Sequence, residues 1–262
     1  MTRHTLVLGL LAAVAARTAM AQSLMRRVVN GSDGPVQFTF ASRPGVCGDG
    51  ATFIRDGFGG NNRIYDGGNF SGHSRGDDWP PCGPGPVRIV ASVSGGEIVR
   101  LHTYAGPRRA GDSPPRDLGM VSVGDAAGFL TNLVEQAHGR AASDAILPLV
   151  LADSIVPWPT LLRFARDEQL PRATRNTVSF WLARGAAAKL GLADRDDDDD
   201  DDVRASAVFA LSQQPKESAI PELIEVARGA PHPAARAQAL FWLGQSGDPR
   251  AVDLFEEILR RR

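Results

Sequence analysis

The sequence predicts a mixed fold, in which a small β-rich domain precedes a C-terminal α-α solenoid of stacked helix pairs. Three observations predict it. Up to about Gly106, glycine, proline and asparagine interrupt short β-branched or aromatic runs, which is the grammar of strands and turns. Beyond about Gly124 these residues thin out, and alanine, leucine, arginine and glutamate take over at helical spacing. Within that second half a pattern recurs at intervals of roughly 30 residues, the mark of a repeat array. The expected divisions are a leader at 1–21, a β-rich domain at 22–106, a linker at 107–123 and a helical repeat domain at 124–262.

The leader is read from Arg3 and His4, an apolar run from Leu6 to Ala16, and the small-x-small pattern of Ala19-Met20-Ala21, which together form a secretory signal with a peptidase site. Cleavage would leave Gln22 first, and the mature protein is expected in the periplasm or outside the cell. The leader is too short to span a bilayer, and no later stretch reaches the ~20 apolar residues that a transmembrane helix needs. A net charge of -1 over 262 residues gives no field for capturing nucleic acid.

Cys47 and Cys82, the only cysteines, lie in glycine- and proline-rich surroundings. In an oxidising compartment they are expected to form one disulfide, whose loop closure would contribute roughly 3 to 4 kcal/mol on the chain-entropy model. The other reading is a zinc site with His73, for which no CxxC or HxxxH spacing is present. Val36, Phe38 and Phe40 alternate with Gln37 and Thr39, so one face of that strand is expected inside and the other in water. The runs Val87–Ser94 and Glu97–Tyr104 flank Gly95-Gly96 and predict a hairpin with a tight primed turn. Val93 should then face Ile98, and Val90 should face Leu101. His102 reads as a strand surface residue. No helix is expected in this domain.

The stretch from Gly106-Pro107 to Pro114-Pro115 breaks both helix and strand and marks the linker. After it, Phe180-Trp181-Leu182 recurs as Phe241-Trp242-Leu243, with Val208-Phe209-Ala210-Leu211 between them. Thr174, Val178 and Leu182 form an i, i+4, i+8 stripe, repeated as Val203, Ala207, Leu211 and as Ala235, Ala239, Leu243. Pro159-Thr160-Leu161-Leu162 and Ala165-Arg166 are echoed by Pro221-Glu222-Leu223-Ile224 and Ala227-Arg228. Asp248-Pro249 supplies a cap and a first-turn proline for the last helix. An additional helix pair is expected between Gly124 and Asp153.

These residues resemble HEAT repeats, particularly the short bacterial variety of phycobilisome lyase-like proteins. Asp202-Val203-Arg204 followed by Ala207 and Leu211 carries the likeness, which covers about Trp158 to Leu259. The resemblance implies antiparallel helix pairs stacked into a curved solenoid, with protein binding along an extended surface as its usual role. It implies no single activity.

Asp196 to Asp202 is expected to be a solvated acidic loop, since like charges at this density repel. Phe180, Phe209 and Phe241 occupy equivalent positions and serve either as packing between repeats or as a partner-binding ridge. Arg175, Arg204 and Arg236 recur beside the stripe and need carboxylates or helix carbonyl ends between them. Asp202 and Asp248 are the carboxylates within reach in sequence. Arg163, Arg166, Glu222, Glu225 and Arg228 on the second helices form the expected docking surface. The last repeat, with Leu240 and Phe241 lacking a following neighbour, is expected either to be open to self-association or to be covered by the β region or the arginine stems in a monomer.

The functional expectation is therefore an exported, non-catalytic protein-binding scaffold, acting on a partner in the cell envelope. No cofactor or metal is called for. The alternative is an envelope hydrolase or lyase with a site in the glycine-rich region near His73, Asp77 and Asp78, yet no nucleophile, acid or base stands there at recognisable spacing.

Overall fold

The computed structural model describes residues 24–58, 63–65, 82–108, 116–137, 139–192 and 199–261, with the backbone alone at 63–65 and 199–203. The leader, most of the segment between the two cysteines, and His73, Asp77 and Asp78 lie outside the described residues. The chain forms two compact units, one of Met1–Gly57 and Arg63–Ile155, the other of Phe58–Asn62 and Val156–Arg262.

In the first unit, β1 (Gly34–Phe40), β6 (Val87–Ser94), β7 (Glu97–Ala105) and β8 (Arg116–Met120) form a sheet in the order β7-β6-β1-β8. A second sheet runs β4-β3-β2-β5, from β2 (Val46–Gly48), β3 (Phe53–Asp56), β4 (Arg63–Tyr65) and β5 (Gly83–Pro84). The hairpin forms as expected at its tip, with Gly95 at φ 60°, Gly96 at φ 76° and Val93 opposite Ile98. Farther down, an irregularity between Ser92 and Val93 shifts the register, so Leu101 faces Ala91 and Val90 faces His102. A bulge of this kind adds one residue to one strand and leaves no trace in a period-2 pattern. His102 is half-buried and lies alongside Tyr104, ring centroids 6.5 Å apart.

Val36, Phe38 and Phe40 are buried as the alternation requires, but Gln37 is buried too. Its Nε2 donates to Asp117 Oδ2 at 3.0 Å, and Asp117 also accepts from Arg108 Nη2 and from the Gly119 N–H, each at 2.9 Å. Partial burial opposes the charged form of Asp117, yet these donors together hold its carboxyl below the usual carboxylate range. This network makes a strand of Arg116–Met120, inside the expected linker. There β8 pairs parallel with β1, Val36 opposite Arg116 and Gln37 opposite Asp117.

The division between units consequently falls at Ile155/Val156 rather than at 107–123. The helices α2 (Val123–Gln136), α3 (Arg140–Asp144) and α4 (Ile146–Leu151) belong to the first unit instead of adding a helix pair to the repeats. On α2, Ala126, Phe129, Leu130, Leu133 and Val134 are buried, the i, i+3, i+4, i+7, i+8 stripe of an amphipathic helix. Phe129 meets Phe38 edge-on at 5.2 Å. Ser122 caps α2 by accepting from the Asp125 N–H at 3.1 Å. At the end of α4, the Asp153 N–H donates to the Ala41 carbonyl at 3.0 Å, tying the helical segment to the end of β1. A further helical segment, α1, occupies residues 24–29 where none was expected. It is short, but Leu24 and Val28, four apart, are both buried, and Arg116 donates to the carbonyls of Arg27 and Asn30 at its C-terminal end.

Cys47 and Cys82 are disulfide-bonded, with Cα atoms 5.3 Å apart. The bond joins β2 to the residue before β5, whose Gly83 faces Gly48. Gly48 answers a tight approach: a Cβ there would lie 2.4 Å from the Ala105 carbonyl oxygen. At the turn after β2, Asp49 accepts from the backbone N–H groups of Ala51, Thr52 and Phe53 and from the Thr52 hydroxyl. Burial works against ionisation, but these four donors hold the Asp49 carboxyl far below its ordinary range. Because the folded pKa is depressed, the stabilisation is present above the ordinary carboxylate pKa near 4 and is lost as pH falls below it. Asp49→Ala should cost about 1 to 2 kcal/mol at pH 7, and urea unfolding at a series of pH values should show the difference from wild type narrowing only below about pH 4.

The second unit is helical: α5 (Trp158–Arg166), α6 (Arg172–Lys189), α7 (Asp199–Ser212), α8 (Lys216–Gly229), α9 (Pro233–Ser246) and α10 (Pro249–Arg260). Proline punctuates the starts, with Pro157, Pro171 and Pro215 just before α5, α6 and α8, and Pro233 and Pro249 in the first turns of α9 and α10. Asp248 caps α10 as expected, accepting from the Arg250 N–H at 3.0 Å. Asp199 to Asp202 form the first turn of α7 and not a loop, since carboxylates favour the positive end of the helix dipole. Asp196 to Asp198 lie outside the described residues.

The helices are not stacked in chain order. α9 packs against α6, α7 and α8, while α10 packs against α5, α6 and α8. The last two helices therefore lie between α5–α6 and α7–α8, which departs from the expected solenoid of successive neighbours. Thr174, Val178 and Leu182 on α6 and Ala239 and Leu243 on α9 are buried. On α7, Ala207 is exposed and Leu211 half-buried, and Val208 is buried instead.

Candidate functional site

The surface expected for docking lies on the second helices. Arg163 and Arg166 on α5, and Glu222, Glu225 and Arg228 on α8, are all exposed. Between those two helices lies α10, whose Asp253, Glu256 and Glu257 the sequence reading left out. Arg166 donates to Asp253 Oδ1 at 2.8 Å and also to Glu256, while Arg228 donates to Glu257 Oε2 at 2.7 Å. Arg261 reaches Glu257 from the following turn. The arginines of the two outer helices thus hold α10 through carboxylates on its outward face.

The electrostatics follow from these contacts. Hydrogen bonds to Asp253 and Glu256 raise the Arg166 pKa above its usual value, and hydrogen bonds from Arg261 and then Arg228 hold the Glu257 carboxyl below its usual range. All of these groups are at or near the surface, so each pair contributes only ~0 to 1 kcal/mol to stability. Their effect is to order the side chains. Arg163 stacks over the Phe164 ring at 4.6 Å, and Glu222 and Glu225 continue the row of exposed charge along α8.

The three repeat phenylalanines do not form one ridge. Phe180 meets Trp181 edge-on at 5.2 Å, while Phe209 and Phe241 both rest on Trp242, at 5.2 and 5.0 Å. Phe209 is 46% exposed, and Phe180 and Phe241 are half-buried. The Phe209 contact joins α7 to α9, which is packing between repeats. Among the repeated arginines, Arg175 donates to the Asp167 carbonyl at 3.4 Å and Arg236 to the Ala227 carbonyl at 3.3 Å, so both use the C-terminal end of a second helix. Asp248 pairs with Arg250 instead.

On the last repeat Leu240 does not lack a neighbour, while Phe241 is half-buried. Leu240 is fully buried, because α9 is covered by α6 on one side and α7 on the other. Among the described residues no group of three or more His, Cys, Asp or Glu is placed to hold a metal ion, and no helix is long and apolar enough to cross a membrane.

The three missed residues carried a signal in the sequence. Asp253 and Glu256 are three apart and Glu257 is next to it, and Asp253 and Glu257, four apart, lie on the side of α10 away from Val252 and Phe255. Their partners were not legible, because Arg166 and Arg228 become neighbours of α10 only through the order of the helices.

A family model described as HEAT repeats matches residues 190–262, the stretch that holds α7 to α10. The chain matches no curated protein and no solved structure. With the recurrent stripes and the proline-punctuated helices, this match supports a HEAT-repeat domain in the C-terminal part of the chain, over residues 190–262.

Proposed function

We propose that this chain is an exported, non-catalytic scaffold protein that binds a protein partner in the cell envelope through the second-helix face of α5, α10 and α8. HEAT repeats are generally protein-interaction elements, and the observation that carries the reading is the ordered row of exposed charge described above, laid across three helices. Such a surface offers fixed, alternating charges to a complementary partner, which favours orientation and encounter rate over raw affinity. The leader pattern and the disulfide support export, since disulfides persist in oxidising compartments. The Asp202-Val203-Arg204 opening supports assigning the repeats to the short bacterial variety found in phycobilisome lyase-like proteins, as a shape and not as a chromophore-attaching activity.

The test is affinity capture of the mature protein from cross-linked envelopes, read by mass spectrometry. Glu222→Lys with Glu225→Lys should leave the circular dichroism spectrum unchanged, because exposed charges matter little to folding, and should lower recovery of the partner about tenfold. Equal recovery by wild type and variant would move the binding surface elsewhere.

A further inference from the structure

The first unit gathers positive charge at a place that the scaffold reading does not use. Arg26, Arg27 and Asn30, from α1 and the residue after it, meet Arg116 and Leu118 of β8 around an open cleft of about 580 Å³. Arg26, Arg27 and Asn30 are exposed, while Arg116 and Leu118 are half-buried. Arg116 is held in place. Its Nη1 donates to the Asn30 carbonyl at 3.2 Å, and its Nη2 to the Arg27 carbonyl at 2.9 Å and to the Val28 carbonyl. Gly31 leaves the room for this, since a Cβ there would lie 1.8 Å from Arg116 Nη1. The bonded carbonyls close the C-terminal end of α1, which left open would repel an anion. Arg27 Nη2 donates to the Leu118 carbonyl at 3.3 Å, tying α1 to β8.

These bonds leave charge unmatched. A carbonyl oxygen accepts a hydrogen bond but carries no net charge, and among the described residues no carboxylate lines the cleft. The first carboxylates after the two segments are engaged elsewhere: Asp33 accepts from the Gly95 N–H at 2.8 Å, and Asp117 from Arg108, Gln37 and Gly119. The Arg116 Nε is buried and has no hydrogen-bond partner. Like charges around one space repel, at a cost that an anion between them removes. The planar guanidinium fork matches carboxylates and phosphates. A carboxylate has two oxygens to offer three such groups, whereas a phosphate presents three strong acceptor oxygens. Leu118 adds an apolar wall for the body that carries the phosphate.

We propose that this cleft binds the phosphate group of an anionic ligand, held by Arg26, Arg27 and Arg116. The site belongs to the first unit and is independent of protein binding by the α5, α10 and α8 face.

Inorganic phosphate titrated into the full-length protein at low salt should give saturable binding by isothermal calorimetry. Arg26→Gln with Arg27→Gln should weaken it about tenfold. Arg140→Gln with Arg172→Gln removes the same amount of charge from exposed positions on α3 and α6 and should leave it unchanged. Flotation with phosphatidylglycerol and with phosphatidylcholine vesicles separates the two sources of phosphate. Flotation with the anionic vesicles alone, competed by phosphate and lost in the first double variant but kept in the second, makes the ligand a lipid headgroup. Phosphate binding without flotation makes it a soluble phosphate compound. Binding of neither probe overturns the proposal, as does equal binding by the two double variants. Should the first double variant misfold, phenylglyoxal labelling of wild-type arginines, mapped by mass spectrometry, decides. Protection of Arg26 and Arg27 by phosphate, with none at Arg140 and Arg172, upholds the site, and labelling that phosphate leaves unchanged rejects it.

Discussion

Phe255→Ala should lower the stability of the helical unit by about 3 to 5 kcal/mol, a third or more of what a domain of ordinary stability possesses. Phe255 is fully buried on α10, where Ala251, Val252, Leu254 and Ile258 are buried as well. That is more than one stripe of a helix. A helix at the end of a stack would bury only the face toward its own pair, but α10 meets α5, α6, α8 and α9. Truncating the ring leaves a cavity whose walls belong to several helices and cannot collapse inward together, which is the condition for the upper part of the range. Urea unfolding followed by far-UV circular dichroism measures it, with Leu259→Ala as the comparison. Leu259 is half-buried and should cost about 1 kcal/mol. Equal, small effects at both positions would mean that α10 is a terminal helix.

Removing the disulfide with Cys47→Ser and Cys82→Ser should cost the β-containing unit roughly 3 to 4 kcal/mol. The bond closes a separation of 35 residues and anchors strands of three and two residues, β2 and β5, too short to hold a register by backbone hydrogen bonds alone. In a unit of this size the loss should appear as a drop in melting temperature of roughly 10 °C. Reducing the wild-type protein should give the same drop, whereas a melt indifferent to reductant, with both thiols open to labelling beforehand, would reject the bond.

What could be read in the sequence was local. Gly95-Gly96 fixed a turn because two consecutive positive φ angles are affordable only to such residues, and the pairing of Val93 with Ile98 followed. Asp248-Pro249 named a helix start by its chemistry. The buried stripes of α6 and α9 were legible from their period. By contrast, β8 has no alternation to announce it, and its place beside β1 depends on Asp117 meeting Gln37. The stripe of α2 was legible as a stripe, but a stripe says that a face is covered and not by what. It was assigned to the repeats when it covers Phe38 and the sheet around it.

The sequence by itself determined two regions of opposite grammar, the cysteine pair, the turns and caps, and the repeat identity of the C-terminal part. Only the tertiary structure decided that α2 to α4 belong with the strands, that α9 and α10 lie between the helices preceding them, and that Arg166 and Arg228 are held by Asp253, Glu256 and Glu257. The physical reason is the same in each case. Turn geometry, capping and amphipathic period are set by residues within a few positions of one another, whereas the choice among equivalent apolar faces depends on close approaches such as Gly244 against Ala183, between residues that meet only once the chain has folded.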